Sequence, residues 1–178
     1  MQDPDAVPVI GFPEGTQFFS TEPNSWTIGS TRHAIVVPAG FVTDFASIPR
    51  AFQGMFATHG RYSRAAMIHD YLYWTQSCSR TQADNLFLIA MIESGVDRFQ
   101  RVAIHRAVRL GGGAAWRTNA AERRAGLGRV VPPDTHRWLA RRHSWPEARA
   151  ALRREGVRDP AMPVSPAACG LGNGTAVP

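Results

Sequence analysis

Ser63-Arg-Ala-Ala-Met-Ile-His-Asp-Tyr-Leu-Tyr-Trp74 reads as a helix that carries core and chemistry together. Ala66, Met67, Tyr71 and Trp74 recur at helical spacing and give it an apolar face. His69 and Asp70 are adjacent, about 100° apart around the axis. Such neighbours cannot easily bond each other, but they can flank one cleft or share one ligand. His69 and Tyr73 are four apart and Asp70 and Tyr73 three apart, so each pair meets on the helix surface. A histidine beside two tyrosines and an aspartate is an acid/base or ligand set. The same residues can equally tie the helix to a preceding loop.

Upstream the pattern changes to short β-branched or aromatic runs. Phe18–Ser20, Ser25–Ile28 and His33–Pro38 read as strands, bounded by Pro23-Asn24, Gly29-Ser30 and Pro38-Ala39-Gly40. Phe41–Phe45 is a last extended piece before Pro49. Residues 1–16, with several Pro and Gly, read as a mobile entry segment or an irregular strand.

Downstream, Ser79-Arg-Thr-Gln82 is a capping box. It opens a second helix with Ala83, Leu86, Phe87, Ala90 and Met91 on one face, and Gly95 ends it in a left-handed conformation. A third helix is predicted over Arg98–Leu110, with Val102, Ala103, Ala107 and Leu110 buried, and Gly111-Gly-Gly113 as its stop. Trp116 tucks back onto the core. Residues 119–133 read as a weak helix and a linker. Trp138 and Leu139 anchor another piece, and Ser144-Trp-Pro-Glu147 opens a further helix to Glu155, stopped at Gly156. Residues 159–178 carry no charge after Asp159 and read as a flexible tail.

The fold class expected is therefore α+β: short N-terminal antiparallel strands packed against a cluster of three or more helices, with extra basic C-terminal helices. The organisation expected is an N-terminal segment (1–16), an α+β core (17–118), a basic helical extension (119–158) and the tail.

At 178 residues and 44% hydrophobic, the chain can build one real core. No apolar run is long enough to span a membrane, and the start lacks a signal-peptide pattern. The expected location is a cytoplasm, or a particle that the chain enters without crossing a membrane. Cys78 and Cys169 read as free thiols. All 20 basic residues are Arg. Residues 1–100 hold six Arg and nine acids, net −3, and residues 101–178 hold fourteen Arg and five acids, net +9. A basic second half suits an acidic protein partner, and nucleic acid less so, since no nucleic-acid module accompanies it.

A second polar segment is Gly40-Phe-Val-Thr-Asp-Phe-Ala-Ser-Ile-Pro-Arg50. Asp44 can bind a metal, cap a helix or pair with Arg50, and Ser47 can cap the turn before Pro49. Arg80 and Asp84 sit four apart on the second helix and suit an ion pair at the core edge. Arg109 suits the same role, or recognition of a substrate carboxylate or phosphate. A metal site needs about three protein donors, and His59 and His105 are the candidates to join Asp44, His69 and Asp70. No H-E-x-x-H spacing is present, and Gly111–Gly113 lacks the context of a phosphate loop.

Val37-Pro-Ala-Gly-Phe-Val-Thr-Asp-Phe-Ala-Ser-Ile-Pro-Arg50 followed by Ile68-His-Asp-Tyr-Leu-Tyr73 resembles the domain of unknown function 1353, found in bacteria and tailed phages. The resemblance continues through Arg80, Ala83-Asp84, Phe87, Ala90-Met91, Gly95-Val96 and Ala107-Val-Arg109 to the glycines before Trp116. It implies a phage or prophage origin and supplies no reaction. The family's polar positions fall on Asp44, Ser47, Arg50, His69, Asp70, Asp84 and Arg109.

Two functions follow as expectations. One is a metal-dependent hydrolase acting on cell-wall material, in which Asp44, His69 and Asp70 hold a divalent ion that activates water and Tyr73 or Arg109 steadies the oxyanion. The other is a non-catalytic phage particle component or assembly factor, docking on other particle proteins through residues 119–158.

Overall fold

The computed structural model describes residues 7–45, 62–135 and 143–178. Among the described residues, five short strands precede the helices: β1 (Val9–Gly11), β2 (Phe18–Ser20), β3 (Asn24–Thr27), β4 (Ala34–Val37) and β5 (Val42–Thr43). β1, β2 and β5 form one antiparallel sheet, and Phe19 stands opposite both Ile10 and Val42. β3 and β4 form an antiparallel ribbon, with Trp26 opposite Ile35. The ribbon alternates with period two: Asn24, Trp26, Ile35 and Val37 are buried, and Ser25, Thr27, Ala34 and Val36 are exposed. Only one face can therefore meet the helices.

The α-helices among the described residues are α1 (Ser63–Thr75), α2 (Arg80–Glu93), α3 (Arg98–Arg124), α4 (Trp145–Arg154) and α5 (Pro166–Gly170). The expected α+β architecture is present. α1 is the central element. Every residue from Ala65 to Thr75 is buried, so it has no solvent face. A helix enclosed on all sides must satisfy its polar side chains inside the protein. That requirement creates the site described below.

α2 opens on the expected capping box, with Gln82 N–H donating to Ser79 Oγ at 3.3 Å and Ser79 N–H to Gln82 Oε1 at 2.9 Å. Gly95, at φ 67°, ends it in the left-handed region. The Trp26 indole and the Gly29 N–H both donate to the Glu93 carboxylate and join the ribbon to the end of α2. α4 also begins as expected: Ser144 N–H donates to Glu147 Oε2 at 2.8 Å. Its Trp145, Ala148 and Leu152 pack with Phe12, Phe19, Val42 and Val131 in a second core over the three-stranded sheet. Trp138 and Leu139 lie outside the described residues.

α3 departs from the sequence reading. It continues through Gly111–Gly113 to Arg124, and Asp97 caps its start by accepting from Phe99 N–H at 2.8 Å. Its buried positions are Ile104, Ala107, Val108 and Asn119, whereas Val102 and Leu110 are exposed. The helix is rotated from the predicted face because Ile104 and Val108 enter the main core. Glycine lowers helix propensity but does not forbid a helix when tertiary contacts hold it.

The cysteines and the C-terminal segment also differ from expectation. Cys78, between α1 and α2, is disulfide-bonded to Cys169 of α5, with Cα atoms 5.2 Å apart. Residues 159–178 lie against the helices. Asp159 Oδ2 accepts from the Trp74 indole at 2.7 Å, Met162 O from the Tyr71 hydroxyl at 3.2 Å and Gly172 O from Asn85 Nδ2 at 2.9 Å. Gly172 lies directly on the α2 backbone at Gln82, where a Cβ would collide. Small residues give this segment close approach, and low charge is a packing feature here.

The bridge closes a separation of 91 residues. Replacing both cysteines by serine is expected to lower unfolding stability by about 2–4 kcal/mol. A urea titration monitored by circular dichroism checks this, and an unchanged midpoint would mean that the bridge does not constrain the chain.

Candidate functional site

α1 presents polar groups in two directions. Toward β5, Asp70 Oδ2 accepts from Thr43 Oγ1 at 2.5 Å, and Thr43 Oγ1 accepts from Phe45 N–H at 3.0 Å. Phe45 takes φ 49°, a left-handed conformation that a bulky residue rarely adopts. The Thr43 hydroxyl holds that turn against the helix. The Tyr62 hydroxyl donates to Phe45 O at 3.4 Å. Burial raises its pKa above the ordinary tyrosine value, and the charges of Asp70 and then Asp44 raise it further. Both carboxylates therefore act on the same hydroxyl.

Toward α2 and α3, the centre is Asp84, which has no exposure. Its Oδ1 lies 3.1 Å from His69 Nε2 and accepts from the Tyr73 hydroxyl at 2.6 Å. Its Oδ2 faces Arg80 Nη1 at 3.5 Å and Arg109 Nη1 at 3.3 Å. Burial alone would raise its pKa. The hydrogen bonds from His69 and Tyr73, with the charges of His69 and Arg80, outweigh that and hold it below the ordinary carboxylate value. The Tyr73 hydroxyl moves up, first by burial and then by donating to Asp84.

The His69 ring is fixed on both faces. It stacks on Phe87 at 4.6 Å between centroids and leans on Tyr73 at 4.1 Å. Its Nε2 faces Asp84, and its Nδ1 is buried with no hydrogen-bond partner among the described residues. A buried polar atom in that state calls for an explanation. Nearby, His105 Nε2 meets Asn85 Oδ1 at 3.3 Å, and burial pushes the His105 pKa down.

Of the residues singled out from the sequence, His69, Tyr73 and Arg109 thus converge on Asp84. Asp70 joins Thr43, and Asp44 lies on that same side. Ser47, Arg50 and His59 fall outside the described residues. Among the described residues no three His, Cys, Asp or Glu side chains gather as a metal-holding group. Asp84 is more central than its expected ion pair with Arg80. The available signal was its spacing from Arg80 on an otherwise apolar helix.

Gly112 explains why the glycine run lies inside α3. A Cβ there would overlap the Tyr73 hydroxyl. Glycine at this position lets α3 pass close enough for Tyr73 to stay on Asp84. Trp116, one turn on, covers the other side of Tyr73 with ring centroids 5.1 Å apart.

Residues 22–108 match the family described as "Protein of unknown function (DUF1353)". Searches of curated proteins and of solved structures find no match to this chain.

The glycines make a direct check of this geometry. Gly111 has open space where its Cβ would be. Gly111→Ala is expected to stabilise by up to about 1 kcal/mol through helix propensity. Gly112→Ala is expected to destabilise by about 1–3 kcal/mol through overpacking against Tyr73. Thermal unfolding of the two variants decides, and equal effects would contradict the close approach.

Proposed function

The chain belongs, through residues 22–108, to the DUF1353 family of proteins of unknown function, and we propose that it is a phage- or prophage-encoded hydrolase acting on cell-wall material, with His69 as its working base. The observation that carries this reading is the setting of the His69 ring: one nitrogen lies against a buried carboxylate, and the other is buried with no hydrogen-bond partner among the described residues.

A carboxylate that takes one imidazole N–H fixes the tautomer and stabilises the imidazolium formed when the other nitrogen accepts a proton. Asp84 stands in that relation to His69. In the proposed reaction, Nδ1 removes a proton from the attacking water and later returns it to the leaving group. The Tyr73 proton is committed to Asp84, so Tyr73 acts as a positioning residue. Arg109, partly exposed beside Asp84, is the group placed to receive an anionic part of the substrate.

In the metal-dependent form of this reading, His69 Nδ1 would be the nitrogen that holds a divalent ion, which would supply an activated water. An imidazole whose other N–H is bound by a carboxylate is the usual arrangement of a metal-ligating histidine. Asp44 and Asp70 do not join His69 in a three-donor group among the described residues, so no ligand set is assigned and no step is drawn through a metal.

The test is release of soluble fragments from purified cell-wall sacculi, with and without added divalent ions. The wild-type protein is expected to release them, and His69→Gln to lose at least a hundredfold in rate while melting cooperatively. Equal release by the variant would remove His69 from the chemistry. No release by the wild-type protein under any condition, together with its recovery in intact particles, would establish the particle-component reading instead.

A further inference from the structure

The donors that reach Asp84 differ in exposure. His69 and Tyr73 are 1% exposed, whereas the Arg80 and Arg109 side chains are 32% and 37% exposed. The two guanidiniums therefore form the rim of the cluster and its opening to solvent.

Each is tethered through one nitrogen. Arg80 Nη1 donates to Arg109 O at 3.1 Å and faces Asp84. Arg109 Nη1 donates to Thr81 Oγ1 at 3.0 Å and faces Asp84. Arg80 also acts on the Tyr73 hydroxyl, and Nε and Nη2 of Arg109 have no acceptor among the described residues. Guanidinium donors that are oriented but unused are built to take a planar anion.

The charges leave an excess. Two guanidiniums share a single carboxylate, whose other oxygen is taken by His69 and Tyr73. The other acids of α2 and α3 are engaged elsewhere: Glu93 holds Trp26 and Gly29, Asp97 caps α3, and Glu122 pairs with Arg149 at 2.7 Å. Asp159 is held by Trp74, Arg129 and Val130, and no acid follows it. Residues 46–61 contain no Asp or Glu in their sequence. Arg80 and Thr81 also lie in the first turn of α2, where the helix dipole adds positive potential.

We propose that Arg80, Arg109 and Thr81 form a subsite for a substrate carboxylate, so that the preferred substrate is a peptide with a free carboxylate near the bond acted upon. Assigning the anion to substrate rests on the hydrolase reading; the binding itself does not. The net excess at the rim is one positive charge. A carboxylate neutralises it, whereas a dianionic phosphate would leave a negative charge over the buried Asp84, and this favours a carboxylate ligand.

The experiment titrates the intact protein with N-acetyl-alanine, its amide and inorganic phosphate, and follows the arginine Nε–H resonances by NMR. N-acetyl-alanine is expected to shift two arginine resonances saturably and the amide to shift neither. Arg109→Gln is expected to weaken the acid by at least tenfold, and Arg80→Gln serves as a second variant in case the first does not fold. Absence of a saturable shift, equal response to acid and amide, full affinity in both variants, or tighter binding of phosphate would each overturn the proposal. No turnover is involved, so failure of the hydrolase reading and failure of this subsite are read separately.

Discussion

A carboxylate removed wholly from water needs donors that outweigh its desolvation, and Asp84 collects them from three helices. His69 and Tyr73 come from α1, Arg80 from its own helix α2, and Arg109 from α3. The residue thus sets how the three helices approach one another. Other local features follow from it. Gly112 lies where α3 must leave room for the Tyr73 hydroxyl. Phe87 lies one turn beyond Asp84 on α2 and carries the face of the His69 ring.

The second constraint is the burial of α1. On a helix with no solvent face, His69 and Asp70 take two directions to their partners, while Ser63 Oγ and Thr75 Oγ1 are buried without a hydrogen-bond partner among the described residues. Asp70 anchors the turn after β5 through Thr43. His69 is held by Asp84 through one nitrogen only. The difference leaves one ring nitrogen of His69 buried without a partner among the described residues. The C-terminal segment completes the enclosure. It covers the exposed ends of Tyr71, Trp74 and Asn85, and the Cys78–Cys169 bridge joins it to the α1–α2 connection.

Much of this was readable in the sequence because it depends on local rules. The strand Phe18–Ser20, the Ser79 and Ser144 helix starts and the left-handed Gly95 are encoded by neighbours within a few residues. The meeting of His69 and Tyr73 on one helix face follows from spacing alone. The errors concern contacts made over long separations. Gly111–Gly113 looks like a helix stop until Tyr73, some forty positions earlier, is seen to need the space. Cys169 looks like a thiol in a loose tail until the chain returns to Cys78. The convergence on Asp84 was only half visible, since its spacing from Arg80 suggests an ion pair while His69, Tyr73 and Arg109 arrive from other helices.

The whole arrangement rests on Asp84 holding the Nε2 side of His69. Nitrogen-15 NMR of the histidine ring measures this directly. The account predicts a proton on Nε2 that exchanges slowly and loses its protection in Asp84→Asn. An Nε2 proton that exchanges as fast as in a free imidazole, or that keeps its protection in the variant, would contradict it.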